Sequence, residues 1–147
     1  MKLQKVFSTG LILNNNLYKR LQVLDRTTPS FRLCDNEFLE NRDWWVMTNT
    51  RGQIIAYCGS IYREGICIFN RAWVHKKYRG KGIQKKLIKL RLRAAKQPNR
   101  NCHIAITYTI KQNYPSINNL INCGFKIYGP AYEYGGPTML YWQKLIR

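Results

Sequence analysis

The sequence predicts a mixed α/β domain whose strands outnumber its long helices. Three observations carry that expectation. Short runs rich in β-branched and aromatic residues recur between turn residues along the whole chain. One stretch, from Ile83 to Ala94, instead places Ile83, Leu87, Leu90 and Ala94 at i, i+4, i+7 and i+11, which is one apolar face of a helix. Between the two periodicities lies Val74-His75-Lys76-Lys77-Tyr78-Arg79-Gly80-Lys81-Gly82-Ile83-Gln84, which reads as a strand, a glycine turn and a helix start. At 147 residues the chain is expected to form one domain, 1–147, large enough to bury a core without staples.

Taken in order, Lys2 to Phe7 alternates as a first strand, and Asn14-Asn15-Asn16 offers the cap of a helix from about Leu17 to Leu24. Thr28-Pro29-Ser30 breaks that helix. A short second helix is expected around Asn36 to Asn41, capped by Asp35 or Asn36. Trp44-Trp45-Val46-Met47 and Gln53-Ile54-Ile55-Ala56-Tyr57-Cys58 form a hairpin around the turn Asn49-Thr50-Arg51-Gly52. A second turn, Tyr62-Arg63-Glu64-Gly65, leads into Ile66 to Val74, a strand interrupted at Asn70-Arg71 where a bulge fits. Pro98-Asn99-Arg100-Asn101 ends the long helix, and His103 to Tyr108 is the next strand. Asn113 to Cys123 is a short helix with Pro115 in its first turn and Gly124 just past its end. The tail alternates through Phe125 to Tyr128 and, after Gly135-Gly136-Pro137, through Met139 to Trp142.

The glycine turn points to an anion. A helix start directs free N–H groups and the positive end of its dipole into the turn, and Gly80 and Gly82 let the backbone approach a phosphate closely. A glycine pair on its own equally describes a tight surface turn; the strand before it and the helix after it make the difference.

Charge is the second strong signal. There are 25 basic and seven acidic residues, a net charge of +18. Between Arg71 and Arg100 stand twelve basic residues and no acid. A cofactor with a few phosphates cannot use all of them, so a nucleic acid or another polyanion is an expected partner, although a solvated helix face is the plainer reading of the charge run. Five cysteines include no Cys-x-x-Cys pair and there are two histidines, which disfavours a zinc cluster and favours reduced, buried thiols. No segment approaches the roughly 20 apolar residues of a membrane span, and the first residues lack the apolar stretch of a secretion signal. The expectation is a soluble cytoplasmic protein, monomer or homodimer. The small size, high charge and many asparagines are compatible with a bacteriophage or mobile-element origin.

Two motifs now resemble the GNAT superfamily of acyl-CoA-dependent N-acyltransferases, from about Gln53 to Leu145 and more loosely before it. The family's phosphate loop, Gln or Arg followed by x-x-Gly-x-Gly/Ala, is matched by Lys77-Tyr78-Arg79-Gly80-Lys81-Gly82, with lysine in the first place. The later pattern is matched by Asn113, Ser116, Gly124 and Phe125 at the family's spacing. The resemblance implies a mixed, mostly antiparallel sheet of about six to seven strands flanked by about four helices, with acetyl-CoA as co-substrate and no metal. It implies that amides from Arg79 to Gln84 (Arg79, Gly80, Lys81, Gly82, Ile83 and Gln84) hold the pyrophosphate and that Lys76, Arg79 and Lys81 add charge. Trp73 and Val74 would offer backbone groups to the pantetheine arm and acyl carbonyl. Asn113 would reach the pantetheine or thiol end, and Ser116 would let its helix pass close to the cofactor.

The mechanism implied is direct attack of a deprotonated amine on the thioester, with the oxyanion held by an amide near Val74. One departure matters: Leu120 stands where many members carry the tyrosine that protonates the leaving thiolate. Tyr108, Tyr114, Tyr128 or water are the replacements, and Glu64, Glu133 or His103 the candidate bases. His75 is read as structural or phosphate-proximal. A second reading is a catalytically inactive GNAT-fold protein that binds nucleic acid, with Trp44, Trp45, Tyr132 and Tyr134 as stacking aromatics or pocket walls. A generic nucleotide binder fits poorly, because the loop lacks the Gly-Lys-Ser/Thr ending of a P-loop.

Overall fold

In the computed structural model residues 1–7, 15–26 and 42–146 are described. Seven strands form one sheet: β1 (Lys2–Phe7), β2 (Arg42–Thr48), β3 (Ile54–Arg63), β4 (Ile66–Val74), β5 (Ile104–Ile110), β6 (Lys126–Ile127) and β7 (Met139–Leu145), in the spatial order β1-β2-β3-β4-β5-β7-β6. Every neighbouring pair is antiparallel except β4 and β5. That parallel pair requires a crossover, which the helix α2 (Ile83–Ala95) supplies. Two more helices are described, α1 (Asn15–Arg26) and α3 (Tyr114–Asn122). The mixed, mostly antiparallel sheet is the predicted one. The break at Thr28-Pro29-Ser30 and the helix expected over 36–41 lie outside the described residues.

Alternation along the strands divides the core between two faces. Trp44, Val46, Tyr57 and the half-buried Trp73 pack with Leu17, Leu21 and Leu24 of α1. Trp45, Met47 and Ile55 turn the other way, onto Ile83, Leu87 and Ala94 of α2. Farther along that second face, Phe69, Ala105, Phe125 and Trp142 meet Ile88, Leu92 and Leu120. Trp44 and Trp45 are therefore core residues, 0% and 4% exposed, and not the base-stacking platform that sequence left open.

Two local features shape the site. Tyr57 faces Trp73 but Gly59 faces Asn70, so β4 carries one residue more than β3 across this step. This is the bulge expected at Asn70-Arg71, and Arg71 there has φ 51°. Next to it β4 and β5 part company. Their ladder covers Ile66, Cys67 and Ile68 against Ile104, Ala105 and Ile106. Beyond it β4 continues with β3 as far as Val74, β5 with β7 as far as Ile110, and the last tie across the gap is Thr107 Oγ1 donating to Phe69 O at 2.9 Å.

Candidate active site

The opening between β4 and β5 is a cleft of about 120 Å³. Phe69, Asn70, Arg71 and Ala72 form one wall, Thr107 to Ile110 the other, and Gln84, Ile88 and Arg91 of α2 with Asn113, Ser116 and Leu120 of α3 lie beneath. Its described lining contains no aspartate, glutamate or histidine but two buried arginines, Arg71 at 7% and Arg91 at 3% exposure. The Arg91 guanidinium lies 4.2 Å from the Phe69 ring centroid, and its Nε and Nη1 donate to the carbonyls of Leu87 and Gly59 at 3.4 and 3.5 Å. The field in the cleft thus favours negative charge.

At the end of β4 the chain makes a single 3₁₀ turn, Lys76–Tyr78, capped by His75, whose Nδ1 accepts from the Lys77 amide at 3.2 Å. That is the structural role expected of His75. Gly80 and Gly82 follow with φ 75° and 71°, left-handed conformations that an L side chain rarely adopts, and a Cβ at either would point into open space. Gly82 caps α2 without a side-chain bond, and the first turn of α2 holds no acid. Its leading N–H groups consequently face outward as an anion cradle.

Polar bonds fix the cradle to its neighbours. Gln84 Nε2 donates to Ser116 Oγ at 2.8 Å while Asn119 Nδ2 donates to Gln84 Oε1 at 3.0 Å, tying the start of α2 to α3. Arg79 Nε donates to Val74 O at 3.1 Å. Of the Val74 backbone groups expected to meet a cofactor, the carbonyl is thus already engaged by an arginine of the loop. Asn113 caps α3 by accepting from Ser116 N at 3.3 Å; it lines the cleft as well.

A tyrosine cluster closes the other side. Thr109 of β5 accepts from Trp142 Nε1 at 2.9 Å in the α2/α3 core, so its neighbour Tyr108 points to the opposite face. There the Tyr108 ring meets Tyr134 and Tyr141 edge-on or tilted, at 5.7 and 6.3 Å. Tyr134 and Tyr128 share a hydroxyl contact of 3.0 Å. Burial pushes the Tyr108 phenol up, against a smaller opposing pull from Arg71. Burial likewise raises Tyr134, aided by its bond with Tyr128.

The residues named from sequence fall into two groups. Gly80, Lys81, Gly82, Ile83, Gln84, Asn113, Ser116 and Tyr108 surround the cradle and the cleft, with Lys76 and Arg79 exposed on the loop. The Trp73 side chain packs on the α1 face, where it stacks on Tyr57 at 5.6 Å, and only its backbone groups, the ones expected to meet the cofactor, remain for that role. Glu64 and His103 stand together at the opposite end of β4, in and against the β3–β4 turn, where the His103 amide donates to Gly65 O at 2.7 Å. Neither lines the cleft. Glu133 is exposed in the loop before β7, next to Tyr134. Tyr114 is 67% exposed at the start of α3, and Leu120 is buried core that lines the cleft, so the departure from the family tyrosine leaves an apolar wall. Arg71 and Arg91 were missed as lining residues: in sequence they count as two of a basic run, although an arginine at the apolar spacing of Leu87 and Ile88 was a legible signal.

The thiols are poorly suited to act as nucleophiles. Burial pushes Cys58 up to about 11 and Cys67 up to about 12, and the nearby Arg91 offsets only part of this. Iodoacetamide at pH 8 is expected to leave both unmodified in the folded protein and to label them after denaturation, as read by peptide mass spectrometry. Labelling of Cys58 or Cys67 in the native state would contradict that burial.

A glycine cradle at the mouth of a splayed, parallel strand pair suits a phosphate-bearing ligand in a mixed α/β fold. The Acetyltransferase (GNAT) family model matches residues 13–125, and the chain belongs to that family. Acyl-CoA-dependent N-acetyl transfer is the family's general activity. Among solved structures, an acetyltransferase of the GNAT family from Staphylococcus aureus Mu50 superposes with TM-score 0.73 at 17% identity, covering 99% of this chain and 100% of that one. The ribosomal-protein-alanine N-acetyltransferase from Brucella melitensis gives 0.68 at 19% identity, with 99% of each chain covered. An aminoglycoside 6'-acetyltransferase type Ii gives 0.76 at 16% identity, with 100% of this chain and 98% of that one covered. At such identities the likeness is one of fold. A comparison with curated protein sequences gives no match.

Proposed function

We propose that this protein is an acetyl-CoA-dependent N-acyltransferase that passes the acyl group directly to a primary amine belonging to, or travelling with, a polyanion. The observation that carries the reading is the uncapped, acid-free N-terminus of α2, placed by two left-handed glycines at the mouth of the β4/β5 cleft. The residues present fit CoA with one change: the Arg79 amide already donates to Lys76 O at 3.3 Å, so amides from Gly80 to Gln84 bind the pyrophosphate, Lys76, Arg79 and Lys81 add positive charge through their side chains, and Asn113 and Ser116 border the pantetheine arm. When bound, it supplies the activated thioester. Arg71 and Arg91 stabilise negative charge as it develops in the cleft.

Tyr108 replaces part of what Leu120 lacks. Burial raises its phenol above the ordinary value of about 10, which disfavours giving up the proton outright. Its role is therefore to donate a hydrogen bond, and water delivers the proton. Tyr108→Phe is expected to lower kcat about tenfold with KM for acetyl-CoA unchanged, since a hydrogen bond to a charged group contributes about 1.5 kcal/mol or more. The assay is thiol release with a panel of amines, and an unaltered kcat in the variant removes Tyr108 from the mechanism. Glu133, beside Tyr134, is the candidate base that lies nearest this wall.

The acceptor class follows from charge. At +18 the protein repels polycationic amines such as the aminoglycosides acted on by one structural neighbour, and attracts amines carried on nucleic acid or on proteins bound to it. A ribosomal-protein alanine, which the name of another neighbour specifies, belongs to the second kind. The alternative is a catalytically inactive GNAT-fold protein that binds nucleic acid. Leu120 and the absence of a carboxylate or histidine among the described residues of the cleft lining favour it, and it predicts acetyl-CoA binding or polyanion binding without thiol release.

A further inference from the structure

A second concavity, about 780 Å³, lies on the α1 face of the sheet, away from the outer side of α2. Three elements wall it: Lys19, Arg20, Val23 and Leu24 of α1; the β2–β3 turn from Asn49 to Gln53; and His75, Lys77 and Tyr78 at the end of β4. We infer that this groove is the protein's polyanion site and that it takes a single strand of nucleic acid. The inference deepens the proposed function, because it rests on the reading that the acceptor accompanies a polyanion.

Charge supplies the first argument. Lys19, Arg20, Arg51 and Lys77 converge on the groove from all three walls, and no carboxylate appears in its described lining. Of these cations Arg20 donates to the Gly52 carbonyl, at 2.6 Å. Cations gathered without counter-charge repel one another, and a phosphate backbone relieves that repulsion.

Preorganisation is the second. Asn49 Oδ1 accepts from the amides of Arg51 and Gln53 at 3.0 and 2.9 Å, and Arg20 ties α1 to the same turn. Arg51 is thus presented on a fixed turn. His75 and Tyr78, 5.9 Å apart and edge to face, provide half-buried rings at one end, with the exposed Val23 across the groove. Cations that track a backbone, together with rings that accept a base, are the elements of single-strand recognition.

Size argues against a duplex. The volume lies within the roughly 300–1,000 Å³ of sites for one small organic ligand, enough for a nucleotide or two of a strand but not for a double helix. By contrast, the outer side of α2 presents Lys85, Lys86, Lys89 and Arg93 around a smaller depression of about 310 Å³ whose described lining includes no aromatic.

Fluorescence anisotropy with a labelled ten-nucleotide oligouridylate at 0.15 M salt tests the assignment. The wild type is compared with a groove variant, Lys19→Glu with Arg51→Glu, and with a control of equal charge change, Lys86→Glu with Lys89→Glu. All four positions are exposed, so neither variant disturbs the core. The groove variant is expected to weaken binding at least tenfold and the control less than threefold, while an RNA duplex of the same length binds the wild type more weakly than the single strand. Equal losses in the two variants, tighter duplex binding, or no binding by the wild type would overturn the inference. Calorimetric titration of acetyl-CoA runs in parallel. Affinity retained in the groove variant separates this site from the cofactor site, whereas a matching loss there assigns the groove to CoA and also overturns the inference. A wild type that binds RNA but not acetyl-CoA would leave the groove in place and sink the acyltransferase reading alone.

Discussion

Gly82→Trp is expected to raise the dissociation constant for acetyl-CoA at least about 100-fold, a loss of about 2.8 kcal/mol. Two effects add. Gly82 has φ 71°, which an indole-bearing residue adopts only with strain, and its missing Cβ faces the open side of the cradle, where the indole would stand in the place of the phosphate. Because, its chain neighbours aside, no described residue lies within 4 Å of that Cβ position, the side chain displaces ligand and not core. Calorimetric titration at moderate salt, which suppresses nonspecific attraction to so basic a chain, reads the loss directly. Circular dichroism of the variant guards against misfolding. Wild-type affinity in a folded Gly82→Trp protein would mean that the cofactor does not use this turn.

The largest effect on stability is expected at Asp43, a residue far from the cleft. Its carboxylate is 1% exposed and serves three partners: Lys5 Nζ at 2.9 Å, Arg100 Nη2 at 3.0 Å and the Tyr62 hydroxyl, which donates at 3.1 Å. Arg100 also lies over the Tyr62 ring at 4.2 Å. The cluster joins β1, β2, β3 and the turn after α2. Asp43→Ala takes this carboxylate from two partly buried cations, Arg100 and Lys5, and from the Tyr62 hydroxyl, and the expected cost is about 3 kcal/mol, or about 10 °C in Tm. Lys5→Ala, which removes a partly exposed partner and keeps the rest, should cost less than about 1 kcal/mol. Thermal unfolding followed by circular dichroism distinguishes the two, and equal small losses would show that the buried cluster contributes little.

Asp43 and Arg100 also show where charge counting misleads. In the run of twelve basic residues from Arg71 to Arg100, Arg71 and Arg91 are buried and line the cleft, and Arg100 is bound to Asp43. Nine remain for a partner to meet. Similarly, the paired tryptophans at 44 and 45 offered stacking surfaces on paper, yet alternation sends them to opposite faces of the sheet and both are buried. The candidate bases separated for a topological reason. Glu64 and His103 precede their strands, whereas the glycine loop follows β4, so the parallel arrangement of β4 and β5 puts them at opposite ends of the sheet.

What the sequence determined by itself was local: the strand periodicities, the amphipathic α2, the bulge at Asn70-Arg71, the cap at Asn113 and the glycine cradle. Each depends on residues a few positions apart, whose backbone preferences and spacing act before any long-range contact forms. Only the tertiary structure decided the rest. The cleft exists because β4 and β5 pair for three residues and then follow different neighbours; the tyrosine wall exists because β7 brings Tyr141 against Tyr108; the basic groove exists because α1, a hairpin turn and the glycine loop converge on one face. Those are juxtapositions of residues tens of positions apart, fixed by which faces bury their apolar side chains together, and no local pattern encodes them.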